Sequence, residues 1–144
     1  MGNSRTGASK AGTPATGTFD NDDAIEWLDG FGSDGAASVQ VALETVTELD
    51  ALDYLPATEA AHALAAAEIV AAARDGDTSR LPKDAIARLK ENASKINAAK
   101  LLSPARRAVV RVIKNSELKE NWEDSPDAED WEMDVRDLLE RLKG

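Results

Sequence analysis

The chain contains no cysteine, which excludes disulfides, thiolate metal sites and cysteine nucleophiles together. It has one histidine, His62, so any chemistry that needs two imidazoles is out of reach. Aromatic residues are scarce: three Trp, two Phe and one Tyr in 144 residues. No apolar run reaches the roughly 18 residues that a bilayer crossing requires. No charged leader followed by an apolar stretch marks a secretory signal. These absences set the expectation of a cytoplasmic protein without a membrane partner. Alternation with period two is also missing over any useful length, so no sheet is expected.

Bases are missing from one long stretch. Residues 19–53 hold ten acids and neither Lys nor Arg. Residues 80–114 reverse this with ten bases against two acids, and 115–144 return to eleven acids against four bases. The whole chain carries a net charge of −10. A basic segment placed between two acidic ones can fold back and partly neutralise them. The same pattern can also present an acidic surface to a basic partner, where long-range attraction raises the association rate. Direct nucleic-acid binding is not expected, because the basic segment lacks interleaved aromatics and its flanks would repel phosphates.

What is present reads as helix. The first eighteen residues, rich in Gly, Ser, Thr and Ala, have no periodicity and are expected to form a flexible tail, leaving 19–144 as one helical domain. Asp20 or Asn21 can cap a first helix, with Asp22 and Asp23 in its first turn where the helix dipole favours acids. Ala24, Trp27, Leu28 and Phe31 follow at helical spacing, and Gly30, Gly32 and Gly35 are expected to end that helix. Val39, Ala42, Leu43, Val46 and Leu49 predict a second helix. A third, over about 57–74, includes ten alanines between 57 and 73. A helix small and apolar on nearly every side belongs at the centre of a bundle. Pro82-Lys83, Ser103-Pro104 and Ser125-Pro126 each suggest a further helix start. On the last helix, Glu132–Arg136 and Asp137–Arg141 stand acid before base at i, i+4. The expected fold is all-α: a compact bundle of about six helices around the alanine-rich one.

Several motifs invite chemistry, and most fail a physical check. Gly30-Phe31-Gly32-Ser33-Asp34-Gly35 spells a dinucleotide fingerprint, but that motif needs a preceding strand and a parallel sheet. A flexible turn is the better expectation. A calcium loop beginning at Asp20 would need Gly and Glu where Ile25 and Phe31 stand. Glu59-Ala60-Ala61-His62 has the spacing of di-iron bundles, yet a second histidine does not exist. No metal site and no cofactor are therefore expected. Trp27, Trp122 and Trp131 each neighbour an acid in sequence. All three suit core positions, and Trp122 is the strongest candidate for an interface anchor because residues 116–123 look like a short connecting helix.

Residues Gly17-Thr18-Phe19-Asp20-Asn21-Asp22-Asp23-Ala24-Ile25-Glu26-Trp27-Leu28 resemble the opening motif of a bacterial family known only as domain of unknown function 4259. That motif runs approximately W-G-x-G-x-F-x-N-D-x-A-x-D-W or F. The resemblance continues collinearly through Tyr54-Leu55, residues 65–72, Leu81-Pro82, Asn115-Ser116-Glu117-Leu118 with Trp122, and Trp131 with residues 137–142. Pro14 and Ala15 stand where the motif has Trp-Gly. The resemblance implies a fold and a bacterial origin, and no activity.

Two functions stay open at this level. The first is an interaction module, most concretely an immunity-type inhibitor of a basic partner such as a toxin, with Asp20, Asp22, Asp23, Glu26 and Trp122 at the contact. The second is a small-ligand binder or enzyme built from Asp20, Asp22 and Asp23 with His62 and Glu68. It requires the acidic turn and the His62–Glu68 helix to converge on one cavity.

Overall fold

Among the residues described by the computed structural model, 17–143, there are seven α-helices and no strand. They are α1 (Asp22–Asp34), α2 (Ala36–Thr47), α3 (Ala57–Asp75), α4 (Lys83–Asn92), α5 (Ala98–Lys114), α6 (Glu117–Glu123) and α7 (Ala128–Arg141), with one 3-10 turn at Ala93–Lys95. The all-α expectation holds. The expected tail lies outside the described residues except for Gly17 and Thr18, which belong to a turn leading into α1.

Helix α3 is the axis. Residues Ala60, Ala61 and Ala63 through Ala72 are all buried, and α1, α2, α5, α6 and α7 pack around it. Alanine makes this possible: a side chain of one methyl lets neighbouring helices approach on every side, and it loses no rotamer entropy. The larger side chains of the core come from the surrounding helices, including Phe31, Leu43, Val112 and Leu138. Helix α3 begins at Ala57 after Pro56 without a side-chain cap of its own. Glu117 of α6 supplies one from 60 residues away: the Ala57 N–H donates to Glu117 Oε1 at 2.8 Å, while the Glu117 N–H donates to the Leu55 carbonyl.

Three boundaries differ from the sequence expectation. Helix α1 does not stop at Gly30; it continues to Asp34 and ends only at Gly35, whose φ of 66° lies where side chains are strained. Gly32 is helical and lies against Arg88 of α4. A Cβ there would sit 2.4 Å from Arg88 Nε, so the absent side chain makes room for that arginine. Gly30 and Gly32 of the fingerprint-like run are thus helix, and only Gly35 forms a turn. Helix α5 starts at Asn97, whose side chain accepts from the Lys100 N–H, and Pro104 sits inside it rather than opening it. Helix α7 starts two residues after Ser125-Pro126, with the Ser125 hydroxyl accepting from the Asp127 N–H.

Candidate functional site

At the start of α1, Asn21 Oδ1 accepts from the Ala24 N–H at 2.9 Å, so Asn21 is the cap. Asp20 turns back instead, its carboxylate accepting from the Gly17 N–H at 2.9 Å. Asp22 is exposed, and half-buried Asp23 reaches the Thr58 hydroxyl at 3.4 Å. Phe19 and Trp27 are buried, and Trp27 stacks on Phe31 with ring centroids 5.3 Å apart. The opening motif therefore anchors the bundle through its aromatics and leaves its acids outside.

The structure sorts the sequence candidates into three places. The first is a groove of about 700 Å³ between α1, α2 and α3. Trp27, Val41 and Ala42 contribute apolar surface to it, and Glu26, Glu59 and His62 bring ionisable groups. Ser38 and Thr45 also line it, but their hydroxyls donate to the Gly30 and Val41 carbonyls. Glu59 and His62, three apart on α3, share this face, as the E-x-x-H spacing requires of a helix. Glu26 arrives from α1, a convergence that local sequence could not reveal.

The second place is a small cleft of about 70 Å³ on the other side of α1's start. Asp20, Asn21 and Trp122 line it with Leu64, Trp131 and Val135. Trp122 is half-buried and stacks on buried Trp131 at a centroid distance of 6.3 Å. One face of Trp122 thus belongs to the bundle, so it is neither a fully buried anchor nor a free surface ring.

The third place holds Glu68, which is 1% exposed. Its carboxylate accepts from the Thr18 hydroxyl at 2.7 Å and takes a double contact from Arg80 through Nε and Nη2, at 3.0 and 2.8 Å to the same oxygen. Arg141 Nη1 lies 3.6 Å away and Arg141 also clasps Asp75. Burial is the largest single influence on Arg80 and lowers its pKa, but the bond to Glu68 together with the negative charges of Glu68, Asp134 and Asp137 outweighs it and holds the pKa above the ordinary arginine value. Asp75 shows the same contest. Burial raises it, yet the Arg141 bond and the Asp77 N–H bring it below the usual aspartate value. Glu68 is therefore committed to holding the bundle together. Its two oxygens face Thr18, Arg80 and Arg141, whereas His62 faces the groove, so these two do not meet in one cavity. This network also explains why Asp137 does not pair with Arg141 as spacing suggests: Glu68 and Asp75 draw the guanidinium inward. The Glu132–Arg136 pair forms, at 2.9 Å.

The basic segment is used in a similar way. Arg111 donates to the Asp50 and Asp53 carbonyls, and Arg106 donates to the Leu142 carbonyl at 2.9 Å. These guanidiniums fasten loops and helix ends to the core. Among the described residues no group of three or more His, Asp or Glu is arranged to hold a metal ion, and no helix is long and apolar enough to cross a membrane.

No curated protein and no solved structure matches the chain. A family model does match, over residues 12–134, which takes in the acidic opening motif, the α1–α2–α3 groove and the first half of α7. The chain belongs to the family described as domain of unknown function (DUF4259).

Proposed function

We propose that this protein is a protein–protein interaction module that presents its acidic α1–α2 side to a basic partner, in the manner of a cytoplasmic bacterial immunity protein that inhibits a toxin. One observation carries the reading: the base-free stretch 19–53 folds into two consecutive helices on one side of α3, so its charge is displayed together rather than dispersed. Asp20, Asp22 and Glu26 are exposed there, and no hydrogen bond or ion pair reaches Asp22 or Glu26 among the described residues. Surface acids held this way cost stability through mutual repulsion, and a basic partner relieves that cost. Trp122 stands across the small cleft from Asp20 and offers an aromatic edge beside the charge.

The test is direct binding to the product of an adjacent gene encoding a basic protein, measured by calorimetry across a salt series. A nanomolar complex is expected, weakening by about a hundredfold as ionic strength rises from roughly 0.05 to 0.5 M. Replacing Asp20, Asp22, Asp23 and Glu26 together with their amides should remove most of that salt dependence. A complex indifferent to both salt and the amide variant would sink the proposal.

A further inference from the structure

We propose that the groove between α1, α2 and α3 is a binding site for a small organic cation with an apolar body, an alkyl- or arylalkylammonium. This inference stands apart from the protein-partner reading: the two share Glu26, but this one rests on the groove that Glu26 lines with Trp27, Val41, Glu59 and His62. The groove's volume, about 700 Å³, falls within the range of small-molecule sites, roughly 300–1,000 Å³. Its apolar surface comes from Trp27, Ala37, Val41 and Ala42, and Val41 is 60% exposed, a methyl pair left facing water.

The polar groups select the charge. Glu26, Glu59 and His62 line the groove, and among the described residues no hydrogen bond or ion pair engages any of them. Two ionised carboxylates can only accept, and a neutral imidazole offers a further acceptor to an ammonium N–H. Among the described residues no Lys or Arg lines the groove, and the 19–53 stretch that builds two of its walls contains none. Among the described residues, then, no internal cation satisfies the carboxylates. A neutral apolar ligand would strip water from them without replacing it, and an anion would be repelled. A cation with an apolar body satisfies both parts of the lining.

The test holds the apolar body constant and varies the head. Octylammonium, octanol and octanoate are titrated separately into isotopically labelled full-length protein and followed by amide and indole NMR shifts. Octylammonium, a ligand of about nine heavy atoms, should bind with a dissociation constant near 1 mM, moving Trp27, Val41 and Ala42 but not Trp122. Octanoate should bind at least about tenfold more weakly. The Glu26→Gln, Glu59→Gln double variant should lose about three- to tenfold in octylammonium affinity while keeping its octanol response. Val41→Lys, at an exposed position that leaves the core intact, should abolish octylammonium binding. Equal affinity for the three heads, shifts centred on another face, an unaffected Val41→Lys variant, or a self-association that buries the groove would each overturn the assignment. Because the measurement needs no protein partner, its failure leaves the acidic-surface reading to be judged by its own salt series.

Discussion

Helix α3 carries two ionisable residues six positions apart, and they live in opposite worlds. Six residues advance a helix by about 240° beyond one full turn, so His62 and Glu68 leave α3 on different sides. Glu68 is enclosed, with both oxygens engaged by groups from the start of the chain, the 76–82 loop and α7. His62 borders an open groove, and among the described residues no side chain engages it. A charge removed from water must be matched by partners or it destabilises the fold. A polar group left at the edge of a groove is free to meet a ligand. The same helix thus separates a residue that serves structure from one that can serve binding.

The sharpest way to break this comparison is at the closed end. Glu68→Gln keeps the shape but turns one acceptor oxygen into an amide NH2 that meets Arg80 donor to donor, and should lower stability by about 3 kcal/mol in urea unfolding. A loss below about 1 kcal/mol would mean the buried pair is not what holds the ends together. The glycines of α1 give the next contrast. A Cβ on Gly30 meets nothing within 4 Å, so Gly30→Ala should raise stability by about 0.5–1 kcal/mol. Gly32→Ala must displace Arg88 and should forfeit that gain. If both variants stabilise equally, the Arg88 contact imposes no constraint on α1. At the open end, His62→Ala should change the unfolding midpoint by less than the equivalent of about 0.5 kcal/mol. A larger loss would place His62 with Glu68 as structural.

The smallest effect belongs to a third, exposed pair. The Tyr54 hydroxyl donates to Glu117, and this bond, with a lesser contribution from burial, pushes the phenol from 10.0 up to about 12. Glu117 is correspondingly held below its ordinary 4.5 by Tyr54 and by the Ala57 N–H. A raised tyrosine pKa means its contribution is complete below pH 10 and is lost as pH rises through about 12. A depressed Glu117 means the reverse: its contribution is present above pH 4.5 and fades as pH falls below that value. Tyr54 is the sole tyrosine, so difference absorbance reads it directly. The midpoint should stand near 12 and return toward 10 in Glu117→Gln, with little change in stability near neutrality.

Much of the fold was legible in the residues. Ten alanines in seventeen positions announced a central helix, and Ser116 marked the start of α6, where its hydroxyl accepts from the Lys119 N–H. What could not be read was competition between distant groups. Pro104 looks like a helix start, yet Asn97 upstream already provides a cap, and a proline in the seventh helical position removes only one backbone bond. Asp137 and Arg141 have pairing geometry, but Asp75, 66 positions before Arg141 in sequence, bonds it at 3.1 Å and buried Glu68 lies beside it. The candidate site was half visible. Glu59 and His62 were legible as a local motif, while Glu26, Trp27 and Val41 joined them only because α1 and α2 pack over α3.

The Glu68 network also bears on when the domain can become itself. During synthesis α3 emerges after α1 and α2, but the helices covering its other sides, α5 through α7, are still unmade. Its carboxylate meets Thr18 early and Arg80 next, and must wait for Arg141 before the set is closed. A helix apolar on all sides has no face that can rest in water meanwhile. Native packing is therefore reached only after α7 has left the ribosome, and any chain stalled before that helix exposes an alanine-rich surface with an unfinished charge at its centre.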